Sequence, residues 1–241
     1  MTDQRGGQAR GRARGRARAP RPPRERLHRG LTLSERRAQR RQALLDSALE
    51  LFGTKGYAAT SIEELCRTSF VSTRYFYEEF QNREDLLASL YEDLLARAWE
   101  EVLAAEVEPG PDYLRRDTRA RVGAFVHALL DDPRAARIVC LEAVGVSPAL
   151  EARRRAAHLR YAEALANFFL DYFPEGTDPG HDFELVALGM VGAINEIIID
   201  WMERDEPGSL DQLIDVVCEL FLVLGTSRWG NPERWGTRPA R

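Results

Sequence analysis

Scarce cysteine and missing catalytic signatures set the first limits on this chain. Its three cysteines, Cys66, Cys140 and Cys218, lie far apart and are odd in number. Such a set makes neither a disulfide framework nor a metal knuckle, and reduced core thiols are expected. There is no H-E-x-x-H, no glycine-rich phosphate loop and no G-x-S-x-G, so an enzyme reading has little support. The four histidines stand isolated at 28, 127, 158 and 181; His127 and His158 could reach a common cavity, but nothing in their spacing selects a metal. No cofactor is expected. The N-terminus lacks the apolar core of a secretion signal, and the longest apolar run, Leu185 to Ile199, is shorter than the roughly 18 residues a span requires. The expectation is a cytoplasmic chain without a membrane segment.

What the sequence does hold is charge, unevenly placed. The net charge of -4 conceals fourteen arginines against Asp3, Glu25 and Glu35 in residues 1–41, a balance of +11 that leaves -15 for the remaining 200 residues. A basic arm on an acidic body fits a polyanionic partner at one end, and it fits a solvated tail equally well. Residues 1–30, centred on GRARGRARAPRPPRER, offer no apolar face and are expected to be disordered. Beside a DNA-reading helix such an arm could enter the minor groove or lie on phosphates.

The rest reads as helix throughout. Ser34 can cap a helix ending at Lys55-Gly56, with Leu44, Leu45, Ala48, Leu51 and Phe52 on one stripe and Arg36, Arg37, Arg40 and Arg41 on the opposite face. Thr60 with Glu63, and Ser61 with Glu64, spell two overlapping capping boxes, so a short helix starts here whichever residue is the cap. Ser69-Phe70-Val71 breaks it before Ser72 caps the next. In that second helix Phe76 and Phe80 face inward, leaving Thr73, Arg74, Tyr75 and Tyr77 outward. Exposed aromatics beside an arginine suit a groove better than bulk water.

Ile62, Leu65, Cys66, Val71, Ser72, Arg74, Phe76, Tyr77, Phe80, Arg83, Glu84, Leu86 and Leu87 together resemble the signature of the TetR family of transcriptional regulators, over about residues 35–90. The resemblance implies an all-α protein with a three-helix helix-turn-helix DNA-binding domain at 31–82. A helical bundle at 83–226 would bind a ligand and dimerise, and 227–241 would be a tail. It implies a homodimer on a palindromic double-stranded operator, released by a small effector. Carried over by position, Ser72, Thr73, Arg74 and Tyr75 approach bases and nearby backbone, while Thr60, Ser61, Tyr77 and Arg83 meet phosphate. Arg74 can present its fork to guanine, and hydroxyls donate to phosphate oxygens. Two positions depart from the pattern. Ser69-Phe70 stands where the family has Ala-Gly, and a bulky residue in a left-handed turn costs about 1–2 kcal/mol. Glu79 replaces a His or aromatic residue, and a carboxylate there repels phosphate unless an arginine neutralises it.

In the second half, a helix from Arg83 to about Glu106 carries Leu86, Leu87, Leu90, Leu94, Leu95, Ala98 and Val102 at helical period. Pro109-Gly110-Pro111 breaks the chain, a helix follows from Asp112, and Asp132-Pro133 starts another that runs to Gly145. The segment 148–173 bears Tyr161, Leu165, Phe168, Phe169 and Tyr172, a stripe that fits core or pocket. Residues 174–180 read as a loop, and 210–224 as the last helix. The helix DFELVALGMVGAINEIIIDWMER is apolar all round, which predicts burial on more than one side. Glu196 inside it needs a cation such as Arg121 or Arg137, a ligand, or a dimer surface. Trp99, Phe125, His127, Phe169, Asn195 and Glu196 are the candidate ligand-binding residues, for an effector of apolar or aromatic character. The alternative function is a helical module that binds nucleic acid without specificity, or recruits a protein, with no effector.

Overall fold

Nine α-helices, one π-helical turn and no strand make up the described residues, 32–172 and 181–226, of this computed structural model. The arginine-rich arm, the 174–180 loop and the tail with Trp229 lie outside them. Contacts separate a unit ending at Arg37 from one that begins at Ala38. In the first, the Glu35 carboxylate accepts from the Thr32 N–H at 2.7 Å while the Thr32 hydroxyl accepts from the Glu35 N–H at 3.2 Å. This reciprocal box puts the cap of α1 (Leu33–Thr54) at Thr32 rather than at Ser34.

In the second unit α1 buries Leu44, Leu45, Ala48 and Phe52, the stripe its periodicity predicts. Two short helices follow, α2 (Ile62–Ser69) and α3 (Thr73–Glu79). Val71, Phe76 and Phe80 close the small core beneath them. Asn82 caps α4 (Arg83–Ala104), its side chain accepting from the Asp85 N–H at 2.8 Å, and all seven predicted apolar positions of that helix are buried.

Asp112 in the left-handed region opens α5 (Tyr113–Leu130), and Asp132 with Pro133 opens α6 (Pro133–Arg137). Where one continuous helix is expected, the chain instead widens into a π turn, Ile138–Glu142, closed by Ala143 N–H to the Ile138 carbonyl at 3.2 Å. Such i to i+5 turns carry no periodicity of their own in a sequence. Ser147 caps α7 (Pro148–Leu170), and α8 (His181–Glu203) and α9 (Leu210–Thr226) complete the bundle. α4 packs on α5, α5 on α9, and α8 lies between α7 and α9. Gly225 lets α9 pass close to α7, since a Cβ there would stand 2.6 Å from the Phe169 ring.

α8 departs from expectation. It buries one stripe, Phe183, Ala187, Met190, Ile194 and Ile198, rather than several sides. Two residues on from Ile194 is a rotation of about 200°, so Glu196 is exposed instead of buried. Arg121 and Arg137 hold Asp117 and Glu142 in its place. Residues Phe183–Glu203 are, by length and composition, apolar enough to cross a membrane, which a search for uninterrupted apolar runs misses. The remaining large apolar residues of α8 are partly buried against the core, Val186, Leu188, Val191, Ile197 and Ile199 among them, while Leu185 is exposed.

Candidate nucleic-acid interface and effector cavity

The helix-turn-helix is built by caps. The Ser61 hydroxyl accepts the Glu64 N–H at 3.2 Å to start α2, and the Ser72 hydroxyl accepts the Tyr75 N–H at 3.4 Å to start α3. Between them Phe70 adopts φ 56 and ψ 28, a left-handed conformation, so the strain is tolerated rather than avoided. Its ring is 97% exposed and gains nothing from packing.

Ser61, Ser72, Thr73, Arg74, Tyr75 and Tyr77 all stand on the exposed side, as the sequence predicts. A hydroxyl that accepts at a cap keeps its own proton to donate, so Ser61 and Ser72 remain competent toward phosphate. Arg74 rests on Glu78, Nε to Oε1 3.2 Å, an exposed pair that base contact can exchange at little cost. The Arg40 guanidinium lies 4.1 Å over the Tyr75 ring, and Arg41 lies 4.5 Å over Phe80. α1 therefore braces the recognition helix by two cation–π contacts, a pairing over 35 positions that no local motif announces.

Two predicted phosphate contacts are placed differently. Thr60 is buried and its hydroxyl donates to the Gly56 carbonyl at 2.8 Å, because the cap position falls to Ser61 and turns Thr60 inward. Arg83 is half-buried, stacks 4.3 Å over Tyr57 and donates to the Thr60 carbonyl. It fastens the start of α4 to the start of α2 instead of reaching outward.

The helical body holds a cavity of about 330 Å³. Its wall is Tyr91, Leu95, Trp99, Val102 and Leu103 of α4, Thr118, Arg121, Val122, Phe125 and Leu129 of α5, and Val139 and Cys140 of the π turn. His158, Tyr161, Ala164, Leu165, Asn167 and Phe168 of α7, its C-cap Asp171, Val191, Ile194, Asn195 and Ile198 of α8, and Phe221 of α9 complete it. Of the predicted ligand residues it gathers Trp99, Phe125 and Asn195. His127 is exposed, with Nδ1 3.0 Å from Asp131. Phe169 is packed against α9 while its neighbour Phe168 lines the wall, a difference of one residue and so of about 100° around α7. Glu196 lies on the outer face of α8. His158, not His127, is the cavity histidine, and burial and then Arg154 hold its pKa below the ordinary range. Burial pushes the Tyr91 phenol and the Cys140 thiol each up to about 12, so both are neutral. Tyr172 donates to Asp117 at 2.8 Å, and Asp117 takes Arg121 at 3.1 Å, closing the wall near α5. Trp99 and Tyr161, rings 5.3 Å apart, face this cavity and a shallow outer groove with Glu92, Glu100 and Arg160. Among the described residues no three His, Cys, Asp or Glu side chains come together to hold a metal.

A braced recognition helix at the end of a capped bihelical turn, followed by an all-helical body, defines a helix-turn-helix DNA-binding protein. Residues 44–90 match the family model of the bacterial regulatory proteins, tetR family. That match covers the segment from the second half of α1 to the first turns of α4, the helix-turn-helix included. The transposon Tn10 TetC protein of Escherichia coli is 42% identical over 50 residues, 21% of this chain; the chain spans a quarter, 25%, of that relative's length. The fold is that of the fatty acid degradation regulator FadR from Bacillus halodurans, with a TM-score of 0.65 at 20% identity over 79% of this chain and 97% of that one. FadR from Bacillus subtilis, solved in complex with stearoyl-CoA, gives 0.61 at 21% identity over 75% and 96%. A TetR-family regulator from Syntrophomonas wolfei gives 0.64 at 20% over 78% and 95%.

Proposed function

We propose that this chain is a homodimeric, sequence-specific repressor that leaves a palindromic operator when a small apolar or aromatic effector enters the cavity. Residues 31–82 read the DNA and 83–226 hold the effector and the partner subunit. The observation that carries this reading is that one element serves both ends. Val139 and Cys140 of the π turn line the cavity, while Glu142 at its end accepts the Tyr57 N–H at 2.7 Å, beside the DNA-reading helices. A ligand that binds the two arrangements of that turn unequally shifts the spacing of paired recognition helices, which must match half-sites about one helical turn apart.

Dimerisation is supported by the outward apolar residues of α8 and α9, Leu185, Val216 and Val223, which are more than half exposed in one chain. A second copy covers them without any membrane, in keeping with a cytoplasmic protein. The FadR complex with stearoyl-CoA supports an effector with an apolar body.

Footprinting of the upstream DNA, with and without candidate ligands, tests the reading: a protected palindrome is expected, lost on effector addition. Arg74→Ala is expected to cost about 1–3 kcal/mol at one base pair and relax preference there. Tyr77→Phe is expected to weaken all sites alike. Uniform coating that vanishes at moderate salt would instead mark a non-specific module.

A further inference from the structure

The cavity's polar atoms are unevenly matched. Tyr91 is 0% and Thr118 2% exposed, both line the wall, and neither hydroxyl has a hydrogen-bond partner among the described residues. Buried tyrosine and threonine hydroxyls are nearly always paired, and an orphan is costly. Beside Tyr91 stands Arg154, buried, whose Nε also lacks a partner although its Nη1 holds Glu151 at 2.9 Å. An arginine only donates. Arg154 acts electrostatically on the Tyr91 hydroxyl and its own charge is met by Glu151, while the carboxylate of the wall itself, Asp171, stands at the far end of α7. His158 completes this end and is kept neutral by burial, so it adds no opposing charge.

We propose, resting on the effector reading above, that the cavity's ligand is an apolar molecule of about a dozen heavy atoms bearing an oxygen acceptor, a carboxylate or an ester carbonyl. Tyr91 donates to that oxygen and Thr118 serves a second polar point on the ligand. The size follows from the cavity: about 330 Å³ holds roughly eleven water-sized groups at about 30 Å³ each. The wall otherwise contributes Leu95, Val122, Phe125, Ile194 and Phe221, which select the apolar body. A cationic head placed at Tyr91 is disfavoured, because the buried guanidinium of Arg154 beside it carries like charge and its orphan Nε stays unmatched.

The full-length protein, titrated by calorimetry with decanoate, methyl decanoate and decylamine, tests this. An oxygen-headed probe is expected to bind at least about tenfold more tightly than the amine. Tyr91→Phe is expected to lower its affinity about tenfold while leaving the unliganded melting temperature unchanged or raised, since an orphan hydroxyl has been removed. A carboxylate in preference to the ester, or the reverse, identifies which acceptor is used, and either supports the assignment. Thr118→Val carries the same test if Tyr91→Phe does not fold. Binding of decylamine as tight as decanoate, or oxygen-probe affinity within twofold of wild type in both variants, overturns the assignment. If the amine also releases operator DNA, the effector reading stands and only the acceptor chemistry falls. If no probe binds and none releases DNA, both fall.

Discussion

The Glu142 carboxylate accepts the backbone N–H of Tyr57 at 2.7 Å, across 85 positions of sequence. Its second oxygen takes Arg137 Nε at 2.9 Å, and Arg137 reaches on to the Thr54 carbonyl. A side chain from the π turn, whose Val139 and Cys140 line the cavity, thus satisfies backbone in the link between α1 and α2. Glu142→Ala strands that N–H and the arginine together. A loss of about 1–3 kcal/mol in urea unfolding is expected, with a weakened effect of ligand on operator release. Glu142→Gln keeps an acceptor and is expected to lose less.

Gly53 gives a second measure of the same contact. A Cβ there would lie 2.4 Å from Arg134 Cβ and 3.0 Å from its Cα. Alanine gains up to about 1 kcal/mol of helix propensity, but the overlap falls on main chain and on the root of a side chain. Gly53→Ala is therefore expected to destabilise by about 1–3 kcal/mol, seen as a lower melting temperature.

Phe70 runs the other way. It holds a left-handed backbone at φ 56 with a ring that touches little. Phe70→Gly relieves about 1–2 kcal/mol of strain and costs about 0.5–1 kcal/mol in unfolded-chain entropy. A net gain of roughly 0.5–1 kcal/mol in unfolding free energy, read as a higher denaturant midpoint, is expected, with the core unaffected.

These sites mark where the sequence was readable. The cap at Ser72 and the inward Val71, Phe76 and Phe80 are local, and spacing alone places them; the left-handed turn at Phe70 is implied by the resemblance, which leaves open whether the turn is rebuilt or strained. Thr60 was not decidable, because two capping boxes overlap by one residue and only packing turns one hydroxyl inward. Arg83 and Arg40 find their partners, the Thr60 carbonyl and the Tyr75 ring, through tertiary approach. In the cavity, Trp99, Phe125 and Asn195 were legible as large or polar groups on apolar helices. Glu196 was not, since a helix apolar on every side hides which stripe meets the core. Tyr91 and Thr118 carried no signal, because an orphan hydroxyl exists only once its neighbours are in place.

His158 predicts a pH dependence. Folding holds its imidazole neutral by burial and by Arg154, so the unfolded chain binds the proton more readily. The stability it contributes is complete above its unfolded pKa of about 6.5 and is lost as pH falls below that toward the lower folded value. His158→Gln is expected to flatten the decline of stability below about pH 6.5, measured by denaturant titration. A steeper decline in the variant would reverse the sign assigned to this group.

α4 is committed at both ends. Arg83 at its start holds the Thr60 carbonyl and Val102 near its end accepts from Arg121 in the cavity wall. Its 22 residues make a rod roughly 33 Å long at 1.5 Å per residue. Pivoted at the cavity, a tilt of about 5° sweeps the far end through about 3 Å, close to the 3.4 Å spacing of one DNA step. Helix α4 has the dimensions of a lever, on which a small tilt at the cavity would be enlarged at the end that holds the start of α2.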